Sequence, residues 1–208
     1  MKTSKFEPNL FTKFNEISPN LSNLRICGID EAGRGALAGE LVVAGCVFRD
    51  DCSDLGLMDS KKLSETKREK IFDELIERSQ YLAVYFRNTI VDKIGLSECL
   101  KRALIVIKSH FKGCEFIYDG NCNYGVNMIN TLVKADSKIA QVSAASIIAK
   151  VSRDRQMRRF DALYPDFGYA KHKGYGTKDH LQALNKFGPN ALTRQSFRIK
   201  TQNLLFEL

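Results

Sequence analysis

Histidine is scarce in this chain, and the familiar zinc and membrane signatures are missing. His110, His172 and His180 lie far apart in sequence and form no H-E-x-x-H, which disfavours a zinc enzyme or a histidine-based triad. The six cysteines, Cys27, Cys46, Cys52, Cys99, Cys114 and Cys122, include no C-x-x-C and no Cys/His spacing suited to zinc. Several fall in apolar, strand-like runs, where buried free thiols are expected. No apolar run approaches the ~20 residues a membrane helix needs. The longest, Leu41 to Phe48, is interrupted by Gly45 and is too short for a secretory core. With no signal peptide, the expected compartment is a reducing cytoplasm. No internal repeat or low-complexity tract appears.

What is present is ordinary in amount and uneven in charge. The chain has 208 residues, 44% hydrophobic and 27% charged, which excludes wholesale disorder, collagen and a coiled coil. One domain with appendages is expected, large enough to hide roughly 70% of its unfolded surface. Thirty-two Lys and Arg against 24 Asp and Glu leave a net charge of +8. The excess is clustered: residues 150–159 read KVSRDRQMRR and 171–178 read KHKGYGTK. Cations interleaved with Tyr and Gly fit a phosphate backbone better than a diffuse surface charge.

Residues 1–24 form an extension with Pro8 and Pro19, in which Leu10, Phe11, Phe14 and Ile17 share one helical face. From Arg25 the pattern changes. Strands are expected over 25–30, 40–48, 81–86 and 115–118, and helices from Ser64 and over 96–111, 142–163 and 178–187. Ser64 is a good N-cap, and Leu100, Ala103, Leu104 and Ile107 make an inner face. The early strands can pair antiparallel, whereas later ones need crossover helices and run parallel. The fold class is α/β: a mixed sheet flanked by helices, with a helical C-terminal part.

Three acidic spots stand out. Asp30-Glu31 closes the first strand and leads into Gly33-Arg34-Gly35. Asp119 ends a short apolar strand, and Asp136 precedes the run Ser143-Ala144-Ala145-Ser146, which would let its helix pack tightly on a sheet. Each has a bland reading as a turn or an exposed acid. A dinucleotide loop at Gly33-x-Gly35 is disfavoured, because a strand rather than a helix follows and two carboxylates would repel a pyrophosphate. Together, four acids without His or Cys partners suit Mg²⁺ or Mn²⁺. Beside basic clusters they point to metal-assisted phosphodiester hydrolysis.

The motifs GIDEAGRGALAG (28–39), DSKKLSETKRE (59–69), YDGN (118–121), KADSKIAQVSAASIIAKVSRDR (134–155), HKGYGTKDH (172–180) and RQSF (194–197) resemble those of the ribonuclease HII family, type 2 ribonuclease H. The resemblance implies a ribonuclease H-like catalytic domain over about 25–200, with carboxylates Asp30, Glu31, Asp119 and Asp136 holding two Mn²⁺ or Mg²⁺ ions. It implies hydrolysis of the RNA strand of RNA–DNA hybrids and nicking 5′ of a single ribonucleotide in duplex DNA, as in ribonucleotide removal. Gly33, Arg34 and Gly35 would meet the 2′-hydroxyl and adjoining phosphate, Tyr175 would sense the ribose-to-deoxyribose junction, and Ser60 and Lys61 would contact phosphate. Three departures are Ala36 and Glu40 in place of family prolines, and Thr193 in place of a histidine. Glu40 is expected to add charge near the site.

Lys61, Arg153 and Lys173 read equally well as solvated charges or specific contacts. The last segment, 201–208, holds Gln202-x-x-Leu205-Phe206, which resembles a sliding-clamp-binding peptide; a tail folded back on the domain is the other reading. A non-catalytic nucleic-acid binder on the same fold is disfavoured, since a binder has no use for four anions beside phosphates. A monomer is expected.

Overall fold

The computed structural model describes residues 25–57 and 63–197. The expected N-terminal helical face, Ser60, Lys61 and the tail residues Gln202, Leu205 and Phe206 lie outside that range. Among the described residues, five strands form a mixed sheet in the order β3-β2-β1-β4-β5. They are β1 (Ile26–Ala32), β2 (Leu41–Phe48), β3 (Ser79–Phe86), β4 (Glu115–Asp119) and β5 (Ile129–Leu132). The β1–β2 and β2–β3 pairs are antiparallel, and the β1–β4 and β4–β5 pairs are parallel. The expected mixture of directions is therefore observed, with β1 at the centre.

Helices cover both faces. Alternation along β1 and β2 sends Cys27, Ile29, Leu41 and Val43 to one side, against Leu100, Ala103, Leu104 and Ile107 of the helix Leu96–His110. Val42, Ala44 and Cys46 face the other side, against Phe72 and Leu75 of α1 (Glu65–Arg78) and the long helix Ala140–Leu163. In chain order these helices are α1, α2 (Asn88–Ile94), α3 (Leu96–His110), α4 (Ala140–Leu163), α5 (Tyr169–His172) and α6 (Lys178–Phe187). Each leucine buried in these layers contributes roughly 2 kcal/mol.

The N-terminal end of α4 lies directly on β1. A methyl group at Gly28 would stand 2.2 Å from the backbone of Gln141 and Val142, so only glycine permits this approach. The small run Ser143-Ala144-Ala145 is wholly buried there, as its composition predicts. Ser64 caps α1 by accepting from the Lys67 amide at 3.3 Å. A third apolar cluster, with Met157, Phe167, Tyr169 and Leu184, joins the far end of α4 to α5 and α6.

The sequence reading misses β5, α2 and α5 and shifts some ends by one or two residues. β5 has four residues of which only Ile129 is buried, so its periodicity is nearly silent. All six cysteines are free thiols; Cys27, Cys46, Cys52 and Cys99 are buried.

Candidate metal and nucleic-acid site

Asp119 closes β4, and Asp30 lies two residues before the end of its parallel neighbour β1, at the strand ends where open α/β sheets present their ligand sites. Asp136 arrives from the short 3-10 turn Ala135–Ser137 that leads into α4. One carboxylate oxygen from each of Asp30, Asp119 and Asp136 lies within 4.8 Å of the others. Local bonds set the orientations: Asp30 Oδ1 accepts from the Glu31 amide at 2.7 Å, and Asp119 Oδ1 from the Ala135 amide at 3.0 Å. Burial pushes Asp30 well above the usual carboxylate range, and the charges of Glu31 and Asp119 push the same way. Such a group of carboxylates, two buried and one half-buried, is costly by itself. A hard divalent cation suits it, because every donor is an oxygen and no thiolate or imidazole takes part.

Glu31 is not in that threefold group. Successive strand residues point to opposite faces, so Glu31 leaves β1 on the α3 side. Its Oε2 accepts from the Tyr118 hydroxyl at 2.6 Å, and Oε1 lies 3.5 Å from Arg34 Nη1. Burial raises its pKa, while the Tyr118 hydrogen bond and the Arg34 charge oppose the rise. Of the four acids, three meet directly and the fourth stands beside them on a separate tether.

The loop from Gly33 to Glu40 is held from beneath by two buried arginines. Arg153 donates Nε to the Glu40 carbonyl at 2.8 Å, Nη1 to Lys173 at 2.8 Å and Nη2 to Ala38 at 3.0 Å. Arg194 donates Nε to the Gly39 carbonyl at 3.0 Å and Nη1 to the Gly33 carbonyl at 2.7 Å. Arg153 and Lys173 are thus neither solvated charges nor open to a phosphate: both are buried. The Lys173 ammonium is bound to the Ala170 carbonyl and lies near Glu65. A charged residue within R-D-R-Q-M-R-R gives no sign that its helix face is covered, so sequence pattern misses this role. Arg194 sits in a recognised motif, but nothing in its neighbourhood signals burial.

Gly33 has φ +88°, and a side chain there would collide with the Arg153 guanidinium and the Glu40 carbonyl. Its amide donates to the Tyr175 hydroxyl at 3.1 Å. Gly35 is exposed, with open space where a side chain would be, and half the Arg34 side chain faces solvent. The Tyr175 ring lies 5.1 Å from the Arg153 guanidinium and 5.5 Å from Lys150 Nζ. Behind it, His172 and His180, eight residues apart in sequence, stack at 4.4 Å. Burial and the neighbouring imidazole push His180 down to about 4, so it is a neutral packing group at physiological pH. Its Nδ1 lies 3.0 Å from the Tyr175 carbonyl.

Tyr175, Glu31, Ala32, Arg68, Ser146 and Lys150 line a cleft of about 270 Å³. Lys150, paired with Asp154 at 2.8 Å, and Arg68, bonded to the Leu63 carbonyl, are further phosphate-contact candidates, overlooked in the sequence because they resemble any helical surface cation. None of the three departures from the family pattern lines that cleft. Ala36 is buried. Thr193 bridges Ala38 and accepts from the Asn190 amide at 3.0 Å. Glu40 lines a second groove, with Phe72, Tyr85 and Arg155.

Three carboxylates gathered at the centre of a mixed sheet, beside a cleft lined by an arginine and a lysine, are a donor set that suits a divalent-metal-dependent phosphodiester hydrolase. Comparison with known proteins narrows the class. The family model described as Ribonuclease HII matches residues 27–200, and the chain belongs to that family. It is 57% identical over 176 residues to the ribonuclease HII of Campylobacter concisus, covering 85% of this chain and 94% of that protein. Among solved structures it is similar to the RNase HII of Archaeoglobus fulgidus in its PCNA complex, with TM-score 0.73, 29% identity and coverage of 82% and 92%. The ribonuclease H2 of Pyrococcus horikoshii gives 0.69, 27%, 84% and 94%. The protein is accordingly an endonuclease of ribonuclease H activity, acting on RNA–DNA hybrids. Among the described residues no helix is long and apolar enough to cross a membrane.

Proposed function

We propose that this ribonuclease nicks duplex DNA on the 5′ side of a single embedded ribonucleotide, besides hydrolysing RNA in continuous hybrids, and that it serves ribonucleotide removal in the cytoplasm. The observation that carries this reading is the contact between the Gly33 amide and the Tyr175 hydroxyl at the mouth of the cleft. It joins the glycine loop, open at Gly35, to an aromatic ring beside the carboxylates. Protein distinguishes RNA from DNA through the 2′-hydroxyl, and an open glycine backbone allows approach to that atom and the adjoining phosphate. The Tyr175 ring packs on the next sugar, where a second 2′-hydroxyl would crowd it.

Asp30, Asp119 and Asp136, joined by Glu31, are the groups that would hold two divalent ions, Mg²⁺ or Mn²⁺. Bound there, such ions supply Lewis-acid polarisation of the scissile phosphate and activation of water. Arg68 and Lys150 offset phosphate charge along the cleft, and Arg34 with Gly33 and Gly35 orients the ribonucleotide. Water attacks phosphorus, the bond to the 3′-oxygen breaks, and the ends are a 3′-hydroxyl and a 5′-phosphate. The catalytic unit is 25–200, working as a monomer.

The direct test is a DNA duplex holding one ribonucleotide, incubated with and without Mg²⁺ or Mn²⁺; metal-independent cleavage, or none with either ion, would reject the reading. Tyr175→Ala is expected to reduce cleavage at the single ribonucleotide by at least tenfold more than cleavage within a continuous RNA stretch. An equal loss on both substrates would mean that the ring serves packing alone.

The segment 202–208 is proposed as a tether to a sliding clamp, a reading supported by the PCNA complex of the Archaeoglobus relative. Leu205 and Phe206 would enter an apolar pocket while Gln202 fixes register. Deleting 202–208 is expected to abolish clamp binding while melting temperature and cleavage of bare duplex stay unchanged. A large fall in melting temperature, with no clamp binding by the intact protein, would assign the tail to the core instead.

A further inference from the structure

We propose that Tyr118 is a positioning residue for the metal site, anchoring Glu31 by one oxygen and leaving the other for a cation. This rests on the reading of Glu31 as a metal-binding group.

The geometry is specific. Tyr118 is wholly buried in the layer between the sheet and α3, with Cys27, Ile29 and Val43 in the same cluster. Its hydroxyl nevertheless reaches the sheet end and donates to Glu31 Oε2 at 2.6 Å, the short length of a bond to a carboxylate. The other oxygen, Oε1, has a different kind of partner. Arg34 lies 3.5 Å from it and has half its side chain in solvent. At 3.5 Å, with only the Glu31 side buried, this contact is longer and more accessible to solvent than the Tyr118 bond, so it is the one a divalent ion would displace. Glu31 is therefore tethered firmly through one oxygen and loosely through the other.

The arrangement follows from strand chemistry. Tyr118 and Asp119 are consecutive in β4 and point to opposite faces. Asp119 joins Asp30 and Asp136 on the α4 side, while Tyr118 crosses to Glu31, the neighbour of Asp30 in β1. Two adjacent residues of one strand thus act on two adjacent residues of another, and β4 controls both halves of the carboxylate set. An unanchored glutamate would spread over many rotamers. Partners that orient a metal-binding side chain typically matter about 10–100-fold in metal affinity.

Tyrosine and phenylalanine differ here by one oxygen, so Tyr118→Phe removes the anchor and keeps the packing. The experiment titrates Mn²⁺ into the full-length protein and reads free ion by electron paramagnetic resonance, for wild type, Tyr118→Phe, Glu31→Gln and the double variant. Melting temperature and duplex binding in EDTA check that each variant is folded. The expected result is an about 10–100-fold weaker Mn²⁺ affinity for Tyr118→Phe. A comparable loss is expected for Glu31→Gln, with no further loss in the double variant. A purely structural role would move stability and leave this titration unchanged. Wild-type affinity in folded Tyr118→Phe, alongside weakened binding in Glu31→Gln, would overturn the positioning role and leave the Glu31 reading intact. Unchanged binding in Glu31→Gln would overturn both.

Discussion

Asp119→Asn is expected to leave a folded, duplex-binding protein that cleaves at least about a thousandfold more slowly. The asparagine keeps an oxygen at the end of β4, so the bond from the Ala135 amide, 3.0 Å in the wild type, can persist. What disappears is one negative charge from a group of three whose oxygens lie within 4.8 Å. Divalent ions held by that group would contribute several kcal/mol to the transition state, and each 1.36 kcal/mol is a factor of ten. The removal also lessens the repulsion that helps to raise Asp30, so stability should hold or rise while activity collapses. Single-turnover cleavage of a hybrid, with binding followed separately by gel shift, distinguishes the two effects. Turnover above a tenth of wild type would remove Asp119 from the catalytic set.

The second large effect falls on stability. Arg153→Met is expected to cost on the order of 3–5 kcal/mol, because buried carbonyls left unsatisfied cost about 1–3 kcal/mol each. For a chain of this size that corresponds to a melting temperature lower by about 10 °C or more. Three carbonyls, of Ala38, Glu40 and Lys173, lose a charged donor at once. Lysine is no remedy, because one ammonium cannot copy the planar fork. Thermal unfolding followed by circular dichroism provides the check. A fall of less than 2 °C would mean that other groups satisfy those carbonyls.

The parts of the molecule that announce themselves in the sequence are those governed by local rules. Ser64 before a helical run, and the spacing of Leu100, Ala103, Leu104 and Ile107, depend on neighbours a few residues away, and the structure bears both out. The acids at the ends of apolar strands are legible for the same reason: a strand end is a local event. Their assembly is less so. Alternation suggests that Asp30 and Glu31 do different jobs, but the Tyr118 tether is a contact 87 residues away in sequence. Arg153 looks like a surface cation because its burial is created by Ala38, Glu40 and Lys173, which arrive from other parts of the chain. The stacked pair of His172 and His180 is hidden for a different reason: only eight residues apart, they meet through the turn between α5 and α6, whose path no spacing rule gives.

The arginine supports beneath the glycine loop also bear on which part of the fold opens first. Arg153 reaches Glu40 across 113 residues and Ala38 across 115, Tyr175 reaches Gly33 across 142, and Arg194 reaches Gly33 across 161. Closing loops of such length sacrifices chain entropy before any contact rewards it. The corner around the glycine loop, held by these few polar contacts rather than by an apolar layer, is expected to open before the sheet and its helices do. Partial opening there, short of global unfolding, would give amide hydrogens around residues 33–40 faster exchange than those of β1 and β2, in a protein whose hydrophobic layers remain intact.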